Sequence, residues 1–131
     1  TDTCVFWLRG HVPVRDRIIR ARQHGVAISI ITEAELRYGA ASSSRPEANY
    51  QAIDRFTTEI AVVGIATAVA TLFGTIKADL RRQGTLLEDF DLLIADTALS
   101  HGLTLVTNNV AHFTRISGLL LENWTSTIES D

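Results

Sequence analysis

Four polar residues stand close to apolar runs in this sequence and are the strongest candidates for chemistry. They are Asp2, Glu35, Asp91 and Asn109. In an open parallel sheet the C-terminal ends of the strands share one edge, so residues far apart in the sequence can meet there. Carboxylates gathered at such an edge commonly hold a hard divalent cation against a phosphate. The pattern therefore predicts metal-assisted chemistry on a phosphate ester.

Asp91 is the strongest of these candidates, although a structural role also fits its position. An Asp directly before an apolar helix often caps that helix by accepting a backbone N–H. Glu88 and Asp89 lie within the same four residues, and crowded carboxylates repel one another unless a cation relieves them. Glu88 and Asp89 are interpreted as solvated loop charges, so the prediction of a metal ligand falls on Asp91.

Glu35 and Asn109 each admit two interpretations. Glu35 follows Thr32 by three residues, where it could complete a capping box, or it could point back across the sheet edge toward a metal. Asn109 suits a turn or a cap, but it could also be a neutral ligand or orient a metal-bound water. Asp96 would lie about 140° from Asp91 around a helix, so a structural role is favoured for it.

Most other motifs of metal and nucleotide enzymes are missing from the sequence. The four histidines are not spaced as H-x₃-H or HExxH and are interpreted as structural or surface residues; they are His11, His24, His101 and His112. The sequence also has no P-loop, GxGxxG or CxxC motif. These absences leave the acidic residues as the main evidence for function.

Short strand-like and helix-like segments alternate along the chain, which predicts an α/β fold with a parallel sheet and helices on both faces. The predicted strands cover residues 26–31, 61–65, 103–106 and 119–121. The predicted helices cover residues 32–41, a segment after Pro46 that carries Ile53, Phe56 and Ile60, and residues 66–83 and 91–101. The chain opens directly on the apolar run 5–8, which leaves almost no strand to carry Asp2.

Composition indicates one ordinary globular domain. The chain has 131 residues, of which 46% are hydrophobic and 21% charged, as expected for a single domain with a real core. The single cysteine, Cys4, cannot form an internal disulfide, which favours a reducing compartment. A net charge of −3 argues against a broad basic surface for nucleic acid. With no signal peptide and no long apolar stretch, the sequence predicts a soluble, cytoplasmic protein without a membrane segment.

Several long segments carry a family resemblance. In order along the chain they are DTCVFWLRG, ISIITEAELRYGA, IKADLRRQG, DLLIADTALSHGLTLVTNN and HFTRISGLLLENW. They resemble the PIN-domain ribonucleases, and in particular the VapC toxins of bacterial type II toxin–antitoxin pairs. The resemblance implies one PIN domain over residues 1–131, with a parallel β-sheet flanked by helices and an acidic site at the C-terminal edge of the strands.

The resemblance also implies roles for individual residues. Glu35 matches the acid of the AEL-x-x-G segment, Asp91 opens DLLIA, and Asn109 takes a position where relatives carry Asp or Asn. Family members are expected to bind Mg²⁺ or Mn²⁺ at these acids and to cleave RNA. Asp91 and the first acid would bind the metal, with Glu35 as ligand or water-positioning base and Asn109 assisting.

The first acid is where this sequence departs from the family pattern. Counted back from Leu8-Arg9-Gly10, Asp2 falls on the third position of the family's Asp-Thr-Asn/Asp triplet. The usual catalytic Asp and its strand are therefore expected to precede Thr1. Within the printed sequence Asp2 is the acid available at this place, and on those terms it is predicted as a site residue and metal ligand.

The resemblance further implies a partner protein. This chain would form a homodimer, and with a VapB-type antitoxin it would form a heterotetramer or larger assembly. DNA would be contacted only through the antitoxin. The helix 5–8 with Trp7 and the segment 36–38 with Tyr38 could form an apolar groove for that partner, or these aromatic residues could belong to the core. A partner arginine could enter the acidic pocket and pair with its carboxylates.

Two other functions remain possible on the sequence alone. The first is a non-catalytic PIN-like module that pairs with an antitoxin-type partner, because the sequence departs from the family pattern at the first acid. The second is a phosphohydrolase with an N-terminal Asp nucleophile, which would need a lysine near the site. Lys77 is the only lysine, and it lies inside a predicted helix without that context.

Overall fold

The computed structural model describes residues 1–8, 10–22 and 25–125, apart from the side chains of Phe6 and Trp7. The chain divides into two compact units. Unit 1 comprises the described residues up to Val63 together with Trp124 and Thr125, and unit 2 comprises Gly64–Asn123. The described strands form two parallel pairs, one in each unit. The predicted α/β class with parallel strands and many helices is confirmed.

Unit 1 contains four helices and two strands. They are α1 (Asp2–Leu8), α2 (Val12–Ala21), β1 (Ala27–Ser29), α3 (Ile30–Ala41), α4 (Pro46–Glu59) and β2 (Ala61–Val63). Strands β1 and β2 are parallel, with Ile28 opposite Val62. Ile53, Phe56 and Ile60 are all buried, as the spacing along α4 predicts.

The boundary between β1 and α3 differs from the prediction. Strand β1 ends at Ser29, and the Ser29 Oγ accepts a hydrogen bond from the backbone N–H of Thr32 at 3.1 Å. Ser29 is therefore the N-cap of α3, and the predictions that Thr32 caps this helix and that the strand extends to residue 31 are wrong. Serine in extended backbone is a strong cap, so the apolar residues Ile30 and Ile31 enter the helix instead of prolonging the strand.

Unit 2 contains three helices and two short strands. They are α5 (Thr67–Gln83), α6 (Asp89–Ser100), β3 (Leu105–Val106), α7 (Val110–Phe113) and β4 (Leu121–Glu122). Strands β3 and β4 are parallel, and Leu105 lies opposite Leu121. Helix α5 ends at Gly84, whose φ of 70° is the left-handed conformation that glycine adopts readily. One apolar cluster joins the helices, and its buried members are Leu80, Leu87, Leu92, Ala95, Phe113 and Ile116.

Helix α6 begins two residues before its predicted start. Glu88 takes the N-cap position, although its side chain makes no capping hydrogen bond, and Asp91 is the third residue of the helix. The interpretation of Asp91 as an N-cap is therefore wrong. No helix in the part of the chain that the structure describes is long and apolar enough to cross a membrane.

Candidate functional site

Glu35 lies in the second turn of α3 and is half-buried. Its Oε1 accepts a hydrogen bond of 2.5 Å from the Thr1 hydroxyl, and the Thr1 Oγ1 is also 3.3 Å from the Thr32 Oγ1. Glu35 is not the partner in a capping box, because the cap of this helix is Ser29. Its carboxylate is instead oriented by a neutral donor that adds no positive charge.

The second glutamate of α3 has a different environment. Glu33 Oε2 pairs with Arg37 Nε at 3.1 Å, and the Arg37 Nη2 lies 3.0 Å from Asp54 Oδ1. These two carboxylates raise the pKa of the Arg37 guanidinium above its usual value. No basic side chain among the described residues pairs with Glu35. Of the two acids, Glu35 therefore keeps its charge available for a cation.

Asp2 lies in the first turn of α1. Its Oδ1 accepts hydrogen bonds from the Thr3 backbone N–H at 2.6 Å and the Thr3 hydroxyl at 3.2 Å. A carboxylate at this end of a helix is also favoured by the helix dipole. These contacts give Asp2 a local structural role, and its role as a metal ligand stays a prediction.

Asp91 is partly exposed, with 33% of its side chain accessible, and it faces an imidazole. Its Oδ2 lies 3.3 Å from the Nε2 of His112, which belongs to α7. The neighbouring Asp89 is paired with Lys77, whose Nζ is 2.8 Å from Asp89 Oδ1. Lys77 thus relieves part of the carboxylate crowding that the sequence suggested, while Asp91 remains available to a different partner.

His112 is a neighbour of the candidate acid Asp91 that the sequence did not reveal. It was expected to be structural or on the surface, and the structure places its Nε2 3.3 Å from the Asp91 Oδ2. The two residues are 21 positions apart and on different helices, so no short spacing motif connects them. Only the packing of α7 against the rest of unit 2 brings them together.

Asn109 directly precedes α7 and is exposed. Its backbone N–H donates to the Thr107 hydroxyl at 3.0 Å, while its side chain makes no capping hydrogen bond. Asn109 therefore takes the N-cap position of α7 without a capping bond from its side chain, and its place in the chain fits both the turn and the cap interpretation. Nothing in its contacts tests the predicted role as a ligand or as a residue that orients water.

Asp96 is fully buried in α6, with no exposed surface. Neither carboxylate oxygen has a hydrogen-bond partner among the described residues. Burial raises the pKa of Asp96 from 3.8 to about 6, because the charged form loses its hydration. Asp96 therefore does not reach a solvent-facing rim, in keeping with the structural role favoured by the sequence.

The donor set was tested against the divalent cation that the family implies. Within residues 1–8, 10–22 and 25–125, no three side chains of His, Cys, Asp or Glu lie close enough together to form a metal site. Mg²⁺ nevertheless keeps several waters and needs few protein ligands. In unit 2 the Asp91 Oδ2 and the His112 Nε2 offer two donor atoms 3.3 Å apart on partly exposed side chains. That pair fits a hydrated divalent cation.

Comparison with protein families gives one match over most of the chain. Residues 1–119 match the PIN domain. The match includes the segments that hold Asp2, Glu35, Asp91 and Asn109. This chain belongs to the PIN-domain family.

Within that family, VapC proteins are similar to this chain over most of its length. The chain is 41% identical over 125 residues to a tRNA(fMet)-specific endonuclease VapC from Shigella flexneri, covering 95% of this chain and 94% of that protein. The VapBC2 structure from Rickettsia felis, bound to a promoter DNA fragment, matches with a TM-score of 0.89 and 32% identity over 94% of both chains. DNA-bound VapBC from Salmonella typhimurium matches with a TM-score of 0.87 and 37% identity over 92% of both. The predicted VapC-type resemblance is confirmed.

Proposed function

We propose that this protein is a Mg²⁺-dependent endoribonuclease that acts as the toxin of a VapBC-type toxin–antitoxin pair. The observation that carries the proposal is the 41% identity to a VapC endonuclease across 95% of the chain. The partly exposed Asp91 and the half-buried Glu35 support it, because both acids remain without a basic partner of the lysine or arginine type in the described residues.

The proposed roles are those that the family resemblance implies, and the contact of Glu35 with Thr1 supports one of them. Asp91, Asp2 and Glu35 would hold Mg²⁺ or Mn²⁺, which supplies Lewis-acid activation of the attacking water and neutralises phosphate charge. Glu35, oriented by the Thr1 hydroxyl, is suited to accept a proton from that water or to position it. Asn109, whose exposed side chain directly precedes α7, would assist as a neutral ligand or by orienting a water on the metal.

The substrate to test first is initiator tRNA, since a 41% identical relative is a tRNA(fMet)-specific endonuclease. The purified chain should cleave a labelled tRNA(fMet) in Mg²⁺, and EDTA should stop the cleavage. Restoring Mg²⁺ after EDTA should restore it, which excludes denaturation as the cause. Cleavage that continues at an unchanged rate in EDTA would contradict the proposed metal dependence.

The proposed partner is a VapB-type antitoxin, with DNA reached only through it. Structures similar to this chain are VapBC assemblies bound to DNA. Tyr38 on α3 is 75% exposed, which rules out the core interpretation of this residue and leaves its aromatic face available to a partner. Tyr38→Ala should reduce co-purification of a co-expressed antitoxin, while Tyr50→Ala on α4 serves as a matched control. Equal recovery with both variants would remove Tyr38 from the partner surface.

A non-catalytic module that only binds a partner is the second candidate. The absence of a three-ligand cluster among the described residues favours it. Calorimetric titration with Mn²⁺ separates the two functions. A nuclease site should bind Mn²⁺ with defined stoichiometry that Asp91→Asn abolishes, whereas a binding module should show no such site.

A further inference from the structure

The imidazole beside Asp91 is placed as a metal ligand would be. The His112 Nε2 and the Asp91 Oδ2 are 3.3 Å apart, and both side chains are partly exposed, at 24% and 33%. The distance is long for a hydrogen bond between a nitrogen and a charged oxygen, which is usually 2.7–2.9 Å. Two adjacent ligands of one first-row metal ion, with bonds of about 2.1 Å, are roughly 3 Å apart. The separation therefore suits two ligands of one cation.

The pair is held by the core of unit 2. Leu92 and Ala95 anchor α6 in the apolar cluster, and Phe113 anchors α7 in the same cluster. The His112 ring also packs edge-on against the Phe113 ring, with centroids 5.3 Å apart and an interplanar angle of 89°. Because one core fixes both helices, the two donor atoms face each other without a flexible linker between them.

We propose that His112 binds the divalent cation of the proposed nuclease as a nitrogen ligand next to Asp91. This inference rests on the proposed function, and it adds to it a ligand and a metal preference. A neutral imidazole with its proton on Nδ1 presents the Nε2 lone pair, which repels the Asp91 carboxylate unless a cation lies between them. Mg²⁺ and Mn²⁺ both favour oxygen ligands, but Mn²⁺, as a first-row transition-metal ion, accepts an imidazole nitrogen more readily than Mg²⁺ does. His112 should therefore shift the site from Mg²⁺ toward Mn²⁺.

The alternative is a hydrogen bond, in which Nε2–H donates to Asp91 and only orients it. Two substitutions separate these roles. His112→Ala removes both the nitrogen ligand and the donor, whereas His112→Gln removes the imidazole but keeps an N–H donor of similar reach. His101→Ala is the matched control, because His101 is exposed at the end of α6 in the same unit.

The test uses the full chain loaded with Mn²⁺ and reads out nitrogen coupling by pulsed electron paramagnetic resonance. The wild type and His101→Ala should show ¹⁴N coupling to Mn²⁺, and both His112 variants should lose it. Calorimetry should show Mn²⁺ affinity falling roughly 10-fold or more in His112→Ala and His112→Gln, with a smaller change for Mg²⁺. Circular dichroism checks that each variant is folded.

The outcomes separate this inference from the proposed function. If the wild type binds Mn²⁺ without ¹⁴N coupling, or the coupling persists in a folded His112→Ala variant, His112 is not a ligand although the metal-dependent nuclease stands. Mn²⁺ affinity retained in His112→Gln alone would establish the hydrogen-bond role and overturn the ligand role. If no Mn²⁺ binds and RNA is still cut in EDTA, the proposed metal dependence itself fails, and this inference fails with it.

Discussion

The two units support their candidate acids by different means. In unit 1 the Glu35 carboxylate accepts a hydrogen bond from the neutral hydroxyl of Thr1. In unit 2 the Asp91 carboxylate faces the imidazole of His112, a side chain that can itself bind a metal. A neutral hydrogen-bond donor only orients the carboxylate beside it, whereas an imidazole beside a carboxylate can bind the same cation as that carboxylate. If the proposed function holds, we therefore expect metal affinity to depend more on Asp91, and Glu35 to contribute more to the geometry of the reaction.

The largest effect should come from Asp91→Asn. Losing this carboxylate should lower single-turnover RNA cleavage roughly 1,000-fold, or about 4 kcal/mol of transition-state stabilisation, because it removes a charged metal ligand. Asp89→Asn is the control, since Asp89 is exposed and paired with Lys77, and it should retain most activity. Equal losses in the two variants would mean that general negative charge, not Asp91, supports cleavage.

The buried Ser29 of unit 1 and the buried Asp96 of unit 2 give a second contrast. The buried Ser29 and Thr32 of unit 1 are hydrogen-bonded to each other, while the buried Asp96 of unit 2 has no partner among the described residues. Because burial raises the pKa of Asp96 to about 6, the folded state binds more protons than the unfolded state between pH 3.8 and about 6. The contribution of Asp96 to the free energy of unfolding is therefore present below pH 3.8 and is lost as the pH rises through about 6.

Asp96→Asn should remove that dependence. Relative to the wild type, the free energy of unfolding of the variant should rise by about 2 kcal/mol between pH 4 and 7, because the pKa of Asp96 is shifted by about two units. Urea unfolding at several pH values measures the difference. A constant offset between the two proteins across this range would show that Asp96 ionises normally in the folded state.

Glu35→Gln should have a smaller effect on cleavage than Asp91→Asn. The amide keeps a group of the same shape beside Thr1 but removes the charge, so activity should fall roughly 30-fold, or about 2 kcal/mol. The affinity for Mn²⁺ should fall less in Glu35→Gln than in Asp91→Asn, because Glu35 is expected to contribute more to reaction geometry than to metal affinity. Glu33→Gln, which loses only an ion pair with Arg37, should cleave at close to the wild-type rate. A larger loss of metal affinity in Glu35→Gln than in Asp91→Asn would reverse the assignment.

The positions of helices were predicted from the sequence more accurately than the contacts between side chains. The helix that carries the buried Ile53 and Phe56 and the end of α5 at residue 83 were both predicted, because each depends on local spacing and local backbone preference. The start of α3 was not, because Ser29 and Thr32 are both acceptable caps and their choice depends on where β1 ends. The contact of His112 with Asp91 could not be predicted either, since it arises only when α6 and α7 share a core.

The smallest predicted effect concerns how the helix that bears each acid begins. In unit 1 the Ser29 hydroxyl caps α3 through the Thr32 N–H, whereas in unit 2 the Glu88 side chain makes no capping bond to α6. Ser29→Ala should therefore lower the free energy of unfolding by about 1 kcal/mol, and Glu88→Ala should change it by less than about 0.5 kcal/mol. Urea unfolding at pH 7 measures both. Because Glu35 lies in the second turn of α3 after this cap, Ser29→Ala should also slow cleavage slightly, and an unchanged rate would show that the position of Glu35 does not depend on this cap.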